Sequence, residues 1–169
     1  MAVTVVLLQA IVSLSSPLMS RYDLTISLDA VIGQYPGVFK AAVMINPVTS
    51  LGEFATSDIP DFPFVEIGLP FESSTSVTPG VYKKLYDASP VAHVGSVRDP
   101  VLLILGESDL RVPPTQGKGY YHALKARGVP AEMLTFAGEG HNFEGVEAIR
   151  VTYESIRDWF RMHTTGERL

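Results

Sequence analysis

The stretch VLLILGESDLRVPP, residues 101–114, changes character at Gly106. Five consecutive apolar residues, Val101 to Leu105, suit a strand of a parallel sheet covered on both faces, and Gly106 then turns the chain into a polar loop carrying Glu107, Ser108, Asp109 and Arg111. A carboxylate is thereby delivered to the carboxyl end of a buried strand. Ligands of open α/β sheets bind at that end, so Asp109 is a stronger functional candidate than an acid on a helix face. A second apolar strand is predicted over Ala131 to Phe136 and runs into AGEGHNFEG, residues 137–145, which sets His141 in the corresponding loop. Glycines beside His141 let its ring approach groups at a neighbouring strand end.

Acid and then histidine, each following a strand, is the second half of the Ser, Asp, His order of α/β-hydrolases. GESDLRVP (106–113), the helix QGKGYYHALKARGVP (116–130) and GEGHNF (138–143) resemble the catalytic end of the prolyl oligopeptidase family of serine peptidases, and most of all the acylaminoacyl-peptidases. IGQYPGVFKAAVMINPVTSL, residues 32–51, is similar to the segment that follows the nucleophile helix in that family. The resemblance covers about residues 28–163, with residues 1–27 divergent. It implies the carboxyl-terminal portion of a peptidase catalytic domain over residues 1–169, no cofactor, and a peptide or acyl-peptide substrate. In such enzymes a serine attacks the carbonyl, a histidine takes and returns the proton, an aspartate orients the histidine, and backbone amides hold the oxyanion. Asp109 and His141 match the last two side-chain roles, and Arg111 matches a substrate-binding position, with a local ion pair to Glu107 or another acid as its alternative role.

The serine is what fails to match. In the family, Gly-Gly-Ser-His-Gly-Gly places the serine eleven residues before the glycine of Ile-Gly-Gln-Tyr-Pro; eleven before Gly33 stands Tyr22, within Ser20-Arg21-Tyr22-Asp23-Leu24-Thr25. A nucleophile elbow is a sharp, strained turn with backbone on both sides and needs small residues there. Ser20 and Ser108 lack such neighbours, and a Tyr22 phenol with a pKa near 10 is a weak nucleophile at neutral pH. The expectation is a chain of serine-peptidase lineage, silent by itself; the alternative is a non-catalytic module that binds peptides or a partner.

Composition narrows the classes further. The chain has 169 residues, 46% hydrophobic and 18% charged, a globular balance for one domain. Thirteen basic and eighteen acidic residues give −5 with no run of like charge, which argues against nucleic acid or an anionic membrane as partner. No cysteine is present, so disulfides and thiolate chemistry are excluded. Ala2 to Leu14 is apolar but too short for a membrane span. It reads as a buried helix before a short strand. A cytoplasmic location is expected, with secretion as the alternative should residues 1–15 act as a signal peptide, although no basic residue precedes Arg21.

The remaining pattern is that of an α/β protein, a partial α/β-hydrolase fold with a mostly parallel sheet and helices on both faces. Residues 24–34 read as a helix, Phe39 to Ile45 as a buried strand stopped by Asn46-Pro47, and Pro79 to Asp87 as a short helix. Between them, Val48 to Thr78 is a long irregular excursion whose Phe54, Phe62, Phe64 and Phe71 either line a substrate pocket or anchor the loop to the core. His93 reads as structural and His122 as solvent-facing. The final helix, about Glu144 to His163, is expected to pack through Val146, Ile149, Tyr153, Ile156 and Phe160. The loop around His141 is a poor phosphate cradle, since Phe143 replaces the third glycine, and a poor metal site, since His141, Glu139 and Glu144 lack a second histidine at ligand spacing. Without the strands that precede it in the family, the sheet is expected to expose an edge near residues 15–20 and to self-associate there.

Overall fold

The computed structural model describes residues 6–8, 32–37, 39–54, 56–71 and 76–165. Four strands, β1 (Val6–Leu8), β2 (Ala42–Ile45), β3 (Val101–Gly106) and β4 (Ala131–Phe136), form one sheet in the order β1-β2-β3-β4. Every pairing is parallel, with Val6 opposite Ala42, Ala42 opposite Val101 and Val101 opposite Ala131. The apolar run near the amino terminus therefore supplies a strand at Val6–Leu8, where a helix was expected. A short apolar run does not by itself distinguish the two, and pairing with β2 is what decides it. On that side β1 is the last strand among the described residues, while the edge expected near residues 15–20 lies outside them.

Parallel neighbours need a crossover over a sheet face, and a strand order that steps steadily in one direction puts right-handed crossovers on the same face. The packing follows that rule. Helix α3 (Thr115–Ala126), which links β3 to β4, buries Tyr120 and Leu124 in a cluster with Ile32, Ala42, Met44, Val101 and Leu103. The opposite face is left to α4 (Val146–Thr165), the element after the last strand. Ile156, Trp159 and Phe160 of α4 pack on Val43, Leu102 and Ile104, the alternate residues of the same strands. Helices on both faces are thus observed. β3, between two strands and under two helix layers, is buried at all six positions.

The face of α4 keeps Ile156 and Phe160 of the expected stripe but not Val146, Ile149 or Tyr153. Its buried residues are Ala148, Thr152, Ile156, Trp159 and Phe160, whereas Val146 is 84% and Tyr153 67% exposed. Trp159 carries the largest apolar area on the helix, and seating it rotates the stripe by a fraction of a turn. His163, one turn beyond, meets Trp159 edge to face at 4.3 Å between ring centroids. Burial pushes the His163 imidazole below its usual value, with Glu132 pulling weakly the other way. A folded-state value below the unfolded one means a stability contribution present above about 6.5, the ordinary imidazole value, and lost as pH falls through the folded value. His163→Gln is accordingly expected to flatten the fall in Tm between about pH 7 and about pH 5. An unchanged acid slope in thermal melts would contradict this assignment.

The long connection from β2 to β3 holds α1 (Phe62–Glu66), α2 (Pro79–Asp87) and short 3-10 turns at Leu51–Glu53 and Pro90–Ser96. It is anchored by a small core of its Val48, Leu51, Phe54 and Leu85 with Val112 from the loop after β3. Phe54 and Phe64 are buried, and ring pairs Phe54–Phe62 and Phe64–Phe71 lie at 5.6 and 5.2 Å. Phe54, Phe62 and Phe64 thus anchor the excursion, whereas Phe71 is 42% exposed; Phe54, Phe64 and Phe71, together with Leu51 and Leu85, also wall a small apolar cavity of about 160 Å³. No helix among the described residues is long and apolar enough to cross a membrane.

Candidate active site

Because all four strands run the same way, the segments leaving β2, β3 and β4 emerge at one end of the sheet. Those segments begin with Asn46, Glu107 and Ala137. The loops after β3 and β4 are joined along their backbones. Glu107 N donates to Phe136 O at 3.0 Å, and Ser108 N donates to Glu139 O at 2.9 Å. Gly106 is required by this approach, since a Cβ there would meet Glu139 O at 2.6 Å and would strike Gly140 O as well. Gly138, at φ +80°, supplies the left-handed turn that swings the β4 loop back over β3.

The result brings Asp109 and His141 together. Asp109 is 3% exposed, and its Oδ2 lies 2.9 Å from His141 Nδ1. The other oxygen, Oδ1, accepts the backbone N–H groups of Arg111 at 2.8 Å and Val112 at 2.9 Å. One carboxylate oxygen is thus locked by its own loop, which aims the second at the imidazole. A buried carboxylate with its lone pairs so occupied suits an orienting acid, holding a ring and its tautomer, better than it suits a proton donor. His141 is partly open to a cleft of about 480 Å³, whose wall includes Asp58, Ser108, Arg111, Glu139 and Gly140.

Glu139, weighed from sequence as a metal ligand, serves the helix start instead. Its carboxylate accepts Glu144 N at 2.8 Å and Gly145 N at 3.2 Å, immediately before α4, where backbone N–H groups lack helical partners. Arg111 reaches Asp58, with Nε and Nη2 at 3.4 and 3.3 Å from its carboxylate oxygens. Glu107 pairs with Lys118 at 3.4 Å and is not the partner of Arg111. The link from the long excursion is reinforced by Ser57 Oγ donating to Arg111 O at 2.6 Å and Asp58 N donating to Leu110 O at 2.9 Å. About half of each side chain is exposed, so the ion pair is a weak latch that adds about 1 kcal/mol at most, the worth of a surface pair.

Ser108 lines the cleft beside Asp109, but among the described residues no serine hydroxyl hydrogen-bonds the His141 ring. Ser20 and Tyr22 lie outside the described residues. Two residues of structural consequence escape a reading of the sequence alone, namely Asn46, which looks only like a strand stop, and Gln116, which looks like an ordinary first-turn helix residue. Each bonds to backbone more than sixty positions away.

A parallel sheet with helices on both faces and a hydrogen-bonded acid and histidine on loops after adjacent strands define the class as an α/β-hydrolase fold. The chain belongs to the prolyl oligopeptidase family, whose sequence pattern matches residues 26–167. The acylamino-acid-releasing enzyme of Rattus norvegicus is 38% identical over 133 residues, 78% of this chain and 18% of that protein. Among solved structures, a puromycin-hydrolyzing peptidase of Mycobacterium tuberculosis superposes with a TM-score of 0.69 at 29% identity, over 80% of this chain and 20% of that one. An acylaminoacyl peptidase of Pyrococcus horikoshii gives 0.65 at 22% identity, over 80% and 22% of the two chains. The chain thus spans about a fifth of the length of these relatives.

Proposed function

We propose that the chain is the carboxyl-terminal portion of an acylaminoacyl-peptidase-like catalytic domain, divergent over residues 1–27, which keeps Asp109 and His141 of the triad but not the serine, and which does not hydrolyse peptides by itself. The observation that carries this reading is the 2.9 Å contact between Asp109 Oδ2 and His141 Nδ1 at the carboxyl ends of adjacent strands. With Nδ1 committed to the carboxylate, Nε2 is the nitrogen for proton transfer, as in a Ser-His-Asp triad. On this reading Arg111, which lines the cleft, binds the carbonyl or carboxyl group of a peptide or acyl-peptide substrate. A cytoplasmic setting goes with this reading.

The reaction needs a bond from a nucleophilic oxygen to the acyl carbon, formed as His141 takes the proton from that oxygen, and then loss of the amine as His141 returns it. At the position where the family carries the oxygen this sequence has Tyr22. A second reading, that of a peptide- or partner-binding module, is favoured by the same cleft, which is present at about 480 Å³ irrespective of a nucleophile. Exposure of the folded chain to a fluorophosphonate, followed by intact mass, separates the readings from an active enzyme. No adduct is expected under conditions that label an intact family member. A single stoichiometric adduct on Ser20, Tyr22 or Ser108, abolished by His141→Ala, would show that a working nucleophile exists.

A further inference from the structure

We infer that Asn46 is a positioning residue, whose carboxamide holds the loop carrying His141 in place against the end of the strand that leads into Asp109. Asn46 is 5% exposed and adopts φ +45°, where a residue other than glycine is uncommon and where strain persists only when the surroundings over-determine it. The surroundings here do so. Its backbone N donates to Ile104 O at 2.9 Å, its Oδ1 accepts Gly106 N at 2.8 Å, and its Nδ2 donates to His141 O at 2.8 Å and to Gly140 O at 3.3 Å. One side chain from the end of β2 therefore ties the last residue of β3 to the backbone of His141 itself. Three residues beyond Gly106 stands Asp109, whose carboxylate meets the His141 ring. Asn46 closes a circuit in which the backbone and the ring of His141 are both referred to the end of β3.

Three residue types tolerate this backbone region well, Gly, Asn and Asp, but only asparagine combines it with an acceptor for Gly106 N and a donor for the two carbonyls. Asp at this position would keep the first and set a second oxygen against Gly140 O and His141 O. The inference rests on the reading of Asp109 and His141 as an orienting pair, and the experiment below tells the two apart.

The test is proton NMR of the full chain with labelled histidine rings. The wild-type chain is expected to show one low-field Nδ1–H signal protected from exchange, assigned to His141 by its loss in His141→Gln. Asn46→Asp is expected to abolish that signal while the ring signals of His93 and His122 stay in place, reporting a retained fold. A folded Asn46→Asp chain with the signal unchanged overturns the inference. Asp109→Asn tests the pair itself. Loss of the signal in Asp109→Asn but not in Asn46→Asp leaves the pair standing and removes Asn46 from it, whereas a wild-type chain without the signal removes both. Should Asn46→Asp not fold, the unmutated chain decides the matter through the scalar coupling across the hydrogen bond from Asn46 Nδ2 to the His141 carbonyl carbon. Its presence supports the inference and its absence overturns it.

Discussion

Gln116→Leu is expected to lower folding stability by about 2–6 kcal/mol, from two buried backbone N–H groups left unpaired at roughly 1–3 kcal/mol each. Gln116 is 2% exposed at the start of α3, and its Oε1 accepts Thr49 N at 3.0 Å and Ser50 N at 2.7 Å. Its Nε2 donates to Ser50 O at 2.8 Å. Leucine fills nearly the same volume, so the loss reports hydrogen bonding and not a cavity. Ser50 O keeps a second partner in Glu53 N, which is why the orphaned donors dominate. The segment concerned, Val48 to Leu51, leads from the strand end beside the site into the long excursion, and it is buried throughout. Losing several kcal/mol from a total that rarely exceeds about 15 leaves a domain of this size marginal. Urea denaturation followed by tryptophan fluorescence reads the change, and a shift below about 1 kcal/mol would show that the segment is held by its apolar contacts instead.

The order in which these features become visible has physical causes. β3 and β4 and the helix Pro79–Asp87 were legible because each is a local signal, a dense apolar run or a Pro-initiated turn between breakers. The approach of Asp109 to His141 was legible only through the order and spacing of motifs, since nothing local makes two loops thirty-two residues apart meet. Asn46, Gln116 and Asp58 were not legible. Their partners lie between fifty-three and ninety-five residues away, and a polar residue beside a proline or a helix start satisfies every local rule without them. The first half of the α4 face was misread for a different reason, while Ile156 and Phe160 packed as expected. Val146, Ile149 and Tyr153 make a plausible stripe at helical spacing, and only the size of Trp159, weighed against the sheet it must cover, selects Ala148 and Thr152 over them. Val6–Leu8 shows the limit of composition, since an apolar run becomes a strand by finding β2 beside it.

Hydrolysis of an acylated amino-acid anilide by the isolated chain is expected to be about a millionfold slower than by an intact relative at equal concentration, the loss that follows removal of a triad nucleophile. The second half of this expectation is the more discriminating one. Whatever residual rate is measured should be unchanged, within about a factor of two, in His141→Ala and in Asp109→Asn, because triad members act as a unit and the partners of an absent nucleophile have no proton to move. On the proposed reading water is the remaining nucleophile, and its activation by the imidazole alone is a poor substitute for an attacking serine held beside an oxyanion hole. If a tyrosine or a displaced serine takes over the role, the residual rate falls steeply in both variants, and its pH profile acquires the ionisation of the histidine. If a second polypeptide supplies the nucleophile, the isolated chain stays silent, and the rate appears only in the mixture and then depends on His141. The dependence on His141, more than the absolute rate, therefore decides between a relict site, a displaced nucleophile and a complemented one.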